Sequence, residues 1–300
     1  MKKLFALLLV FSLVAAACGS SNPGSSTSVG VSSTTTTVAS TTSGSNAGTT
    51  ATTTTAKDNS PAESTQVDLT RTIKGAKSGG TLRLGLEAEA DGLNPTVNRF
   101  AAAAYQMGYT VFEPLFAWGA NGEPTPYLAE SGTPSDDGMS YTVRLRPNIT
   151  FTDGTPLNAD AIITNFEAQI ADPVISLAIK PVLNLDKPIE KIDDLTVQLN
   201  MSMPNKQIAT ALTHQLGMPA SPKWLAAAKD DQSLNQLPVG TGPFKLTEFK
   251  PGVRSLHERN EHYWRDGPNL DGIEIFAITD KVARTSALLS GDIDLMAQLD

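Results

Sequence analysis

The sequence predicts a mixed α/β, or α+β, fold on three observations: segments alternating apolar and polar residues, segments with an apolar residue every three to four positions, and turn-forming clusters between them without a regular βαβα order. Thr81 to Leu86 alternates with period two behind Gly79-Gly80 and reads as the first strand of the core sheet. Asp91-Gly92-Leu93-Asn94-Pro95 is a turn cluster. Ala101 to Phe112 reads as a helix whose Tyr105, Tyr109 and Phe112 share one face, a spacing that points to a core. Further turns are expected at Gly119 to Pro124 and at Ser135-Asp136-Asp137-Gly138. Ser140 to Arg146 alternates so that one face is buried and the other solvated. Asn158 is expected to cap a helix with Ile162, Ile163, Phe166 and Ile170 on its apolar face. Ile192 to Leu199, Phe244 to Phe249 and Gly272 to Ile278 read as strands, Arg254 to Glu258 as the return of a hairpin, and Val282 to Ser290 as a short helix. No repeat of fixed period is visible.

Ahead of this region, Met1-Lys2-Lys3 and the uncharged run Leu4 to Ala17 match a secretory signal, and the run is shorter than the ~20 residues that cross a bilayer. Cys18, the only cysteine, follows Ala15-Ala16-Ala17 as in a lipobox, with Ala15 where Leu is commonest, and is the expected lipidation site. Two or more acyl chains on one cysteine anchor stably. With no second cysteine, no disulfide can form within the chain. Ser20 to about Ala62 is Ser, Thr, Gly and Ala, too poor in large apolar side chains to offset its ordering entropy, and is expected to be a disordered tether. The expected organisation is a signal over residues 1–18, a tether over 19–68 and a globular part over 69–300. The net charge of -8 and scattered Lys and Arg give no sign of a nucleic-acid face.

Four stretches carry a resemblance. Gly80-Thr81-Leu82-Arg83 with Leu93-Asn94-Pro95 is the first; the second runs from Tyr127-Leu128-Ala129-Glu130 through Asp137 to Arg146 and on from Phe151-Thr152-Asp153-Gly154-Thr155-Pro156 to Asp160. Pro238-Val239-Gly240-Thr241-Gly242-Pro243-Phe244 with Tyr263-Trp264 is the third, and Ser290-Gly291-Asp292-Ile293-Asp294 the fourth. In this order and spacing the chain resembles the extracellular solute-binding proteins, family 5, that serve oligopeptide, dipeptide and nickel importers. The resemblance implies a type II periplasmic-binding-protein lobe with a mixed sheet. It also implies that the second lobe is absent, the chain being truncated at its carboxyl end. Gly240 to Pro243 is then expected to let the backbone pass between lobes, and Gly291-Asp292 to close a helix.

By the same resemblance, the loop after Leu93-Asn94-Pro95 turns Arg99 and Ala101 toward the ligand cleft, and the segment after Asp294 turns Ala297, Gln298 and Leu299 there. The implied function is capture of a peptide or similar small-molecule solute outside the membrane and its delivery to an ABC permease and ATPase, from a lipid-anchored, extracytoplasmic position. A surface sensor or adhesin of the same fold, or a non-functional fragment, is the alternative. No cofactor and no nucleic-acid partner are expected. An enzyme is disfavoured: in His257-Glu258-Arg259-Asn260-Glu261-His262 the second His stands at i+5, whereas the zinc-protease helix needs i and i+4. That stretch is expected to be a strand and turn, and His214 is isolated.

Overall fold

The computed structural model describes Gly75 and residues 77–297 of the 300-residue chain. The expected signal, Cys18, the tether over 19–68, Gln298 and Leu299 lie outside the described residues. In chain order the elements are β1 (Thr81–Leu86), α1 (Ala102–Val111), β2 (Phe116–Trp118), β3 (Pro124–Pro126), β4 (Ala129–Pro134), β5 (Ser140–Leu145), α2 (Ala159–Ala171), α3 (Ser176–Ile179), β6 (Ile189–Asp193) and β7 (Thr196–Asn200). There follow α4 (Ile208–Ala211), α5 (Pro222–Asp230), β8 (Phe244–Lys250), β9 (Arg254–Arg259), β10 (Gly272–Ala277), α6 (Lys281–Ser290) and β11 (Leu295–Met296).

Two larger sheets organise the fold. One has the order β11-β1-β10-β9-β8, the other β4-β5-β7-β6, and β2 and β3 form a small ribbon. β1 runs parallel to both β10 and β11, while β10, β9 and β8 are antiparallel, so the first sheet is mixed as expected. Its core joins Leu86, Leu93, Met107, Phe112, Trp224 and Ile275. The second sheet packs α2 through a core of Phe116, Val143, Leu145, Ile162, Phe166 and Val197.

The local signals explain most boundaries. Asn158 is extended, and its Oδ1 accepts from the Ala161 N–H at 2.9 Å, capping α2. Gly291 ends α6 in the left-handed region at φ 79°, which costs a glycine nothing. Asn165, buried inside α2, donates to the carbonyls of Ala161 and Ala220 and accepts from the Ala220 N–H at 2.9 Å, so it ties the loop before α5 to the second core.

Two expectations change. Ile192 to Leu199 is not one strand: the Asp193 carboxylate accepts from the Leu195 N–H at 2.8 Å and turns the chain between β6 and β7, an aspartate turn that the apolar alternation conceals. Gly240 to Pro243 does not bridge two large lobes within the described residues; it presses against the end of α1. A Cβ on Gly240 would stand 2.1 Å from the Val111 carbonyl oxygen, and one on Gly242 would stand 2.5 Å from it. Of the aromatic helix face, Phe112 is fully buried, and Tyr105 and Tyr109 are half-buried against the first core.

Candidate functional site

The segment between β1 and α1 is irregular yet tightly braced. Asn94 is buried; its Oδ1 accepts from the N–H and hydroxyl of Thr96 at 2.9 and 2.8 Å, and its Nδ2 donates to Asn235 Oδ1 at 2.9 Å. The Leu93 N–H donates to the Asn235 carbonyl at 2.7 Å. Further along, Gln215 Nε2 donates to the carbonyls of Pro95 and Asn98 at 2.8 and 2.7 Å, and its Oε1 accepts from the Phe100 N–H at 3.2 Å. One amide side chain thus satisfies three backbone groups of a loop that has no ladder of its own.

This bracing presents Arg99 and Ala101 to solvent: both are exposed, and Ala101 leads into α1 without a side-chain cap. On one side of the loop an open cavity of about 740 Å³ lies between it, α2 and α5, walled by Asn98, Thr164, Glu167, Asp172 and Lys229 among others. That volume is in the range that holds small organic solutes. Nearby, Phe100 meets Tyr105 edge-on at 5.6 Å, Tyr105 meets the exposed His214 at 6.0 Å, and Trp118 meets His214 at 6.2 Å. Polar groups with both charge signs and half-exposed rings are the materials of a recognition surface.

Behind the loop, at the end of α1, a carboxylate is buried. Glu113 Oε1 accepts from the Tyr263 hydroxyl at 2.5 Å, and Oε2 accepts from Trp264 Nε1 at 2.7 Å and the Thr241 hydroxyl at 3.1 Å. Burial pushes its pKa up to about 7, against the pull of those three donors and of the Tyr127 hydroxyl. The Tyr263 hydroxyl lies 3.4 Å from that of Tyr127, which accepts from Arg265 Nη1 at 2.7 Å. Thr241, Tyr263 and Trp264, three residues of the motifs quoted above, therefore converge on one acid.

His257 sits on β9, and His262 on the turn beyond it, in line with the strand-and-turn expectation. Among the described residues no cluster of three or more His, Cys, Asp or Glu could hold a metal ion. His257 is buried between Thr110 Oγ1 at 2.7 Å and Ser255 Oγ at 2.9 Å. Because the Thr110 hydroxyl donates to the Met107 carbonyl, His257 Nδ1 carries the proton and Nε2 accepts from Ser255. Burial lowers its pKa to about 3.

Of the cleft residues expected from sequence, Arg99 and Ala101 share the braced loop. Ala297 belongs to another element: its N–H donates to the Gly85 carbonyl at 3.0 Å and it packs half-buried against the first core. Gln215, Asn235 and Glu113 were not singled out from sequence. Glu113 carried a signal, as the one acid in Val111-Phe112-Glu113-Pro114-Leu115-Phe116; Gln215 carried none.

A braced loop overlooking an open cavity is the build of a binding protein. The chain belongs to the bacterial extracellular solute-binding proteins, family 5, a family of binding proteins and not of enzymes; the family model, described as "Bacterial extracellular solute-binding proteins, family 5 Middle", matches residues 123–300. The nickel-binding periplasmic protein of Escherichia coli (strain K12) is 31% identical over 190 residues, 62% of this chain and 35% of that protein. The glutathione-binding protein GsiB of the same strain is 31% identical over 200 residues, 66% of this chain and 37% of that protein. Among solved structures, the ABC transporter-associated periplasmic binding protein DppA from Helicobacter pylori, in complex with peptide STSA, aligns with a TM-score of 0.66 at 22% identity, over 74% of this chain and 47% of that one. This last likeness shows a shared fold. The chain spans about a third of the length of the curated relatives it matches.

Proposed function

We propose that this protein captures a peptide or similar small solute outside the membrane and delivers it to an ABC permease and ATPase, with Cys18 as a lipidated anchor and residues 19–68 as a tether. The observation that carries the reading is the loop from Asn94 to Ala101, fixed by Gln215 and Asn235, with Asn94 and Asn98 walling the cavity and Arg99 exposed further along the loop. A preset loop loses little further freedom on binding, so its contacts count toward affinity. In the proposed mechanism Arg99 and the main chain around Ala101 meet the solute's polar ends, Ala297, Gln298 and Leu299 contribute from the segment after β11, and closure of a second lobe over this one makes the state that docks on the permease.

Calorimetry against trialanine, glutathione and nickel–histidine, the solute classes that relatives suggest, tests the reading. Arg99→Ala is expected to weaken the best of them by roughly 10- to 100-fold, as loss of one charge-assisted hydrogen bond does. Equal affinity of variant and parent would remove Arg99 from the site.

A further inference from the structure

In the cavity between the loop, α2 and α5, charged and uncharged polar groups stand at different depths. Glu167 and Lys229 are exposed at its rim, whereas Asn94 and Thr96 are buried and Asn98, Thr164 and Asn235 are half-buried. Asp172, the half-buried acid of the wall, already accepts the N–H groups of Val174 and Ile175 on Oδ1, at 2.9 and 2.8 Å. An anionic group carried to that depth would meet no cation, and an ammonium would meet only the one acid whose Oδ1 is taken; a neutral polar solute meets neither penalty. Among the described residues no aromatic ring lines this cavity, so a flat apolar solute finds nothing to stack on.

Asn98 Oδ1 accepts from the Asn94 N–H at 3.0 Å and Asn235 Oδ1 from Asn94 Nδ2 at 2.9 Å, so each of these amides has its oxygen engaged and its NH2 left over. The Thr96 hydroxyl donates to Asn94 Oδ1 at 2.8 Å and the Thr164 hydroxyl to the Asp160 carbonyl at 2.9 Å, so each of these has its proton engaged and its oxygen left over. The wall therefore offers donors from Asn98 and Asn235 and acceptors from Thr96, Thr164 and Asp172 Oδ2. A hydroxyl group accepts and donates through one oxygen and answers both kinds. We propose that this cavity takes a neutral polyhydroxylated compound, a polyol or small sugar, whose hydroxyl groups accept from the two amides and donate to the three oxygens. The inference rests on the reading of loop and cavity as a capture site and adds a solute class that the reading does not name.

Calorimetry of the full chain against sorbitol and sucrose, with trialanine and glutathione alongside, tests it. At least one of the two hydroxylated compounds is expected to bind. Thr164→Val, which removes one acceptor, is expected to weaken that binding roughly fivefold, as loss of one neutral hydrogen bond does. Ala171→Trp, at an exposed position on the cavity face of α2, is expected to abolish it by filling the space. Trialanine or glutathione bound in place of the hydroxylated compounds, and lost in Ala171→Trp, overturns the inference and leaves the capture reading standing. Sorbitol or sucrose bound equally by all three proteins also overturns it, because the cavity is then not where the compound sits. No heat with any probe overturns the inference and, with it, the reading of this cavity as a capture site. Should Ala171→Trp unfold, Thr164→Val reads the same site.

Discussion

Between pH 4.5 and 6.5 the stability of this protein is expected to be nearly insensitive to the ionisation of its two most perturbed buried groups, and replacing either one is expected to expose a steep slope of opposite sign. His257 takes a proton near 6.5 when unfolded but only near 3 when folded, so the unfolded state binds more protons across that interval. Its contribution is complete above pH 6.5 and is lost as pH falls, at about 1.4 kcal/mol per unit. Glu113 does the reverse. Its folded pKa of about 7 exceeds the unfolded value near 4.5, so the folded state holds a proton that the unfolded state has released, and stability falls as pH rises through this window. The two slopes cancel where they overlap. His257→Gln, whose amide can still donate to Thr110 and accept from Ser255, should lose about 3 kcal/mol between pH 4.5 and 7. Glu113→Gln should instead lose about 3 kcal/mol as pH falls from 6.5 to 4.5. Urea unfolding across this range checks both, and two variants with flat, parallel profiles would refute the burial argument.

Gly240→Ala is the second large effect. Its new methyl would meet the Val111 backbone oxygen at 2.1 Å, and neither backbone can retreat: the Gly240 carbonyl accepts from the Thr152 N–H, and the Val111 carbonyl accepts from the Gly242 N–H. Overpacking against fixed backbone costs about 3 kcal/mol or more. Gly252→Ala offers the contrast. That glycine has a φ of 70° but open space around its Cβ position, so only the left-handed backbone penalty of about 1–2 kcal/mol applies. If the two variants unfold at the same urea concentration, close packing of the Gly240 loop on α1 is not what that motif supplies.

The fold was legible wherever the signal is local. β1 and β5 announce themselves by alternation, α2 by its Asn158 cap and apolar face, and the end of α6 by Gly291. Local signals also misled. Between β6 and β7 the apolar alternation runs straight through Asp193-Asp194, and only the aspartate–backbone bond shows that the chain reverses there. No element was read between Leu199 and Phe244, although Ser221-Pro222 is a ready start for α5, with the Ser221 hydroxyl as its cap. The site was less legible, because its bracing is long-range. Gln215 reaches carbonyls of Pro95 and Asn98 more than 100 positions away, and Glu113 finds Thr241, Tyr263 and Trp264 across a similar gap. Backbone carbonyls carry no side-chain signature, so nothing in the residues around Gln215 announces its role.

The account's central claim is solute capture for import, and uptake tests it most directly. Cells lacking this gene would be compared with the parent for uptake of labelled di- and tripeptides, glutathione and nickel–histidine. Loss of one solute class is expected, restored by the parent gene and restored poorly by Gln215→Ala, whose loop from Pro95 to Phe100 loses its brace. Uptake of every solute at the parental rate, in cells that show altered adhesion or signalling, would contradict it.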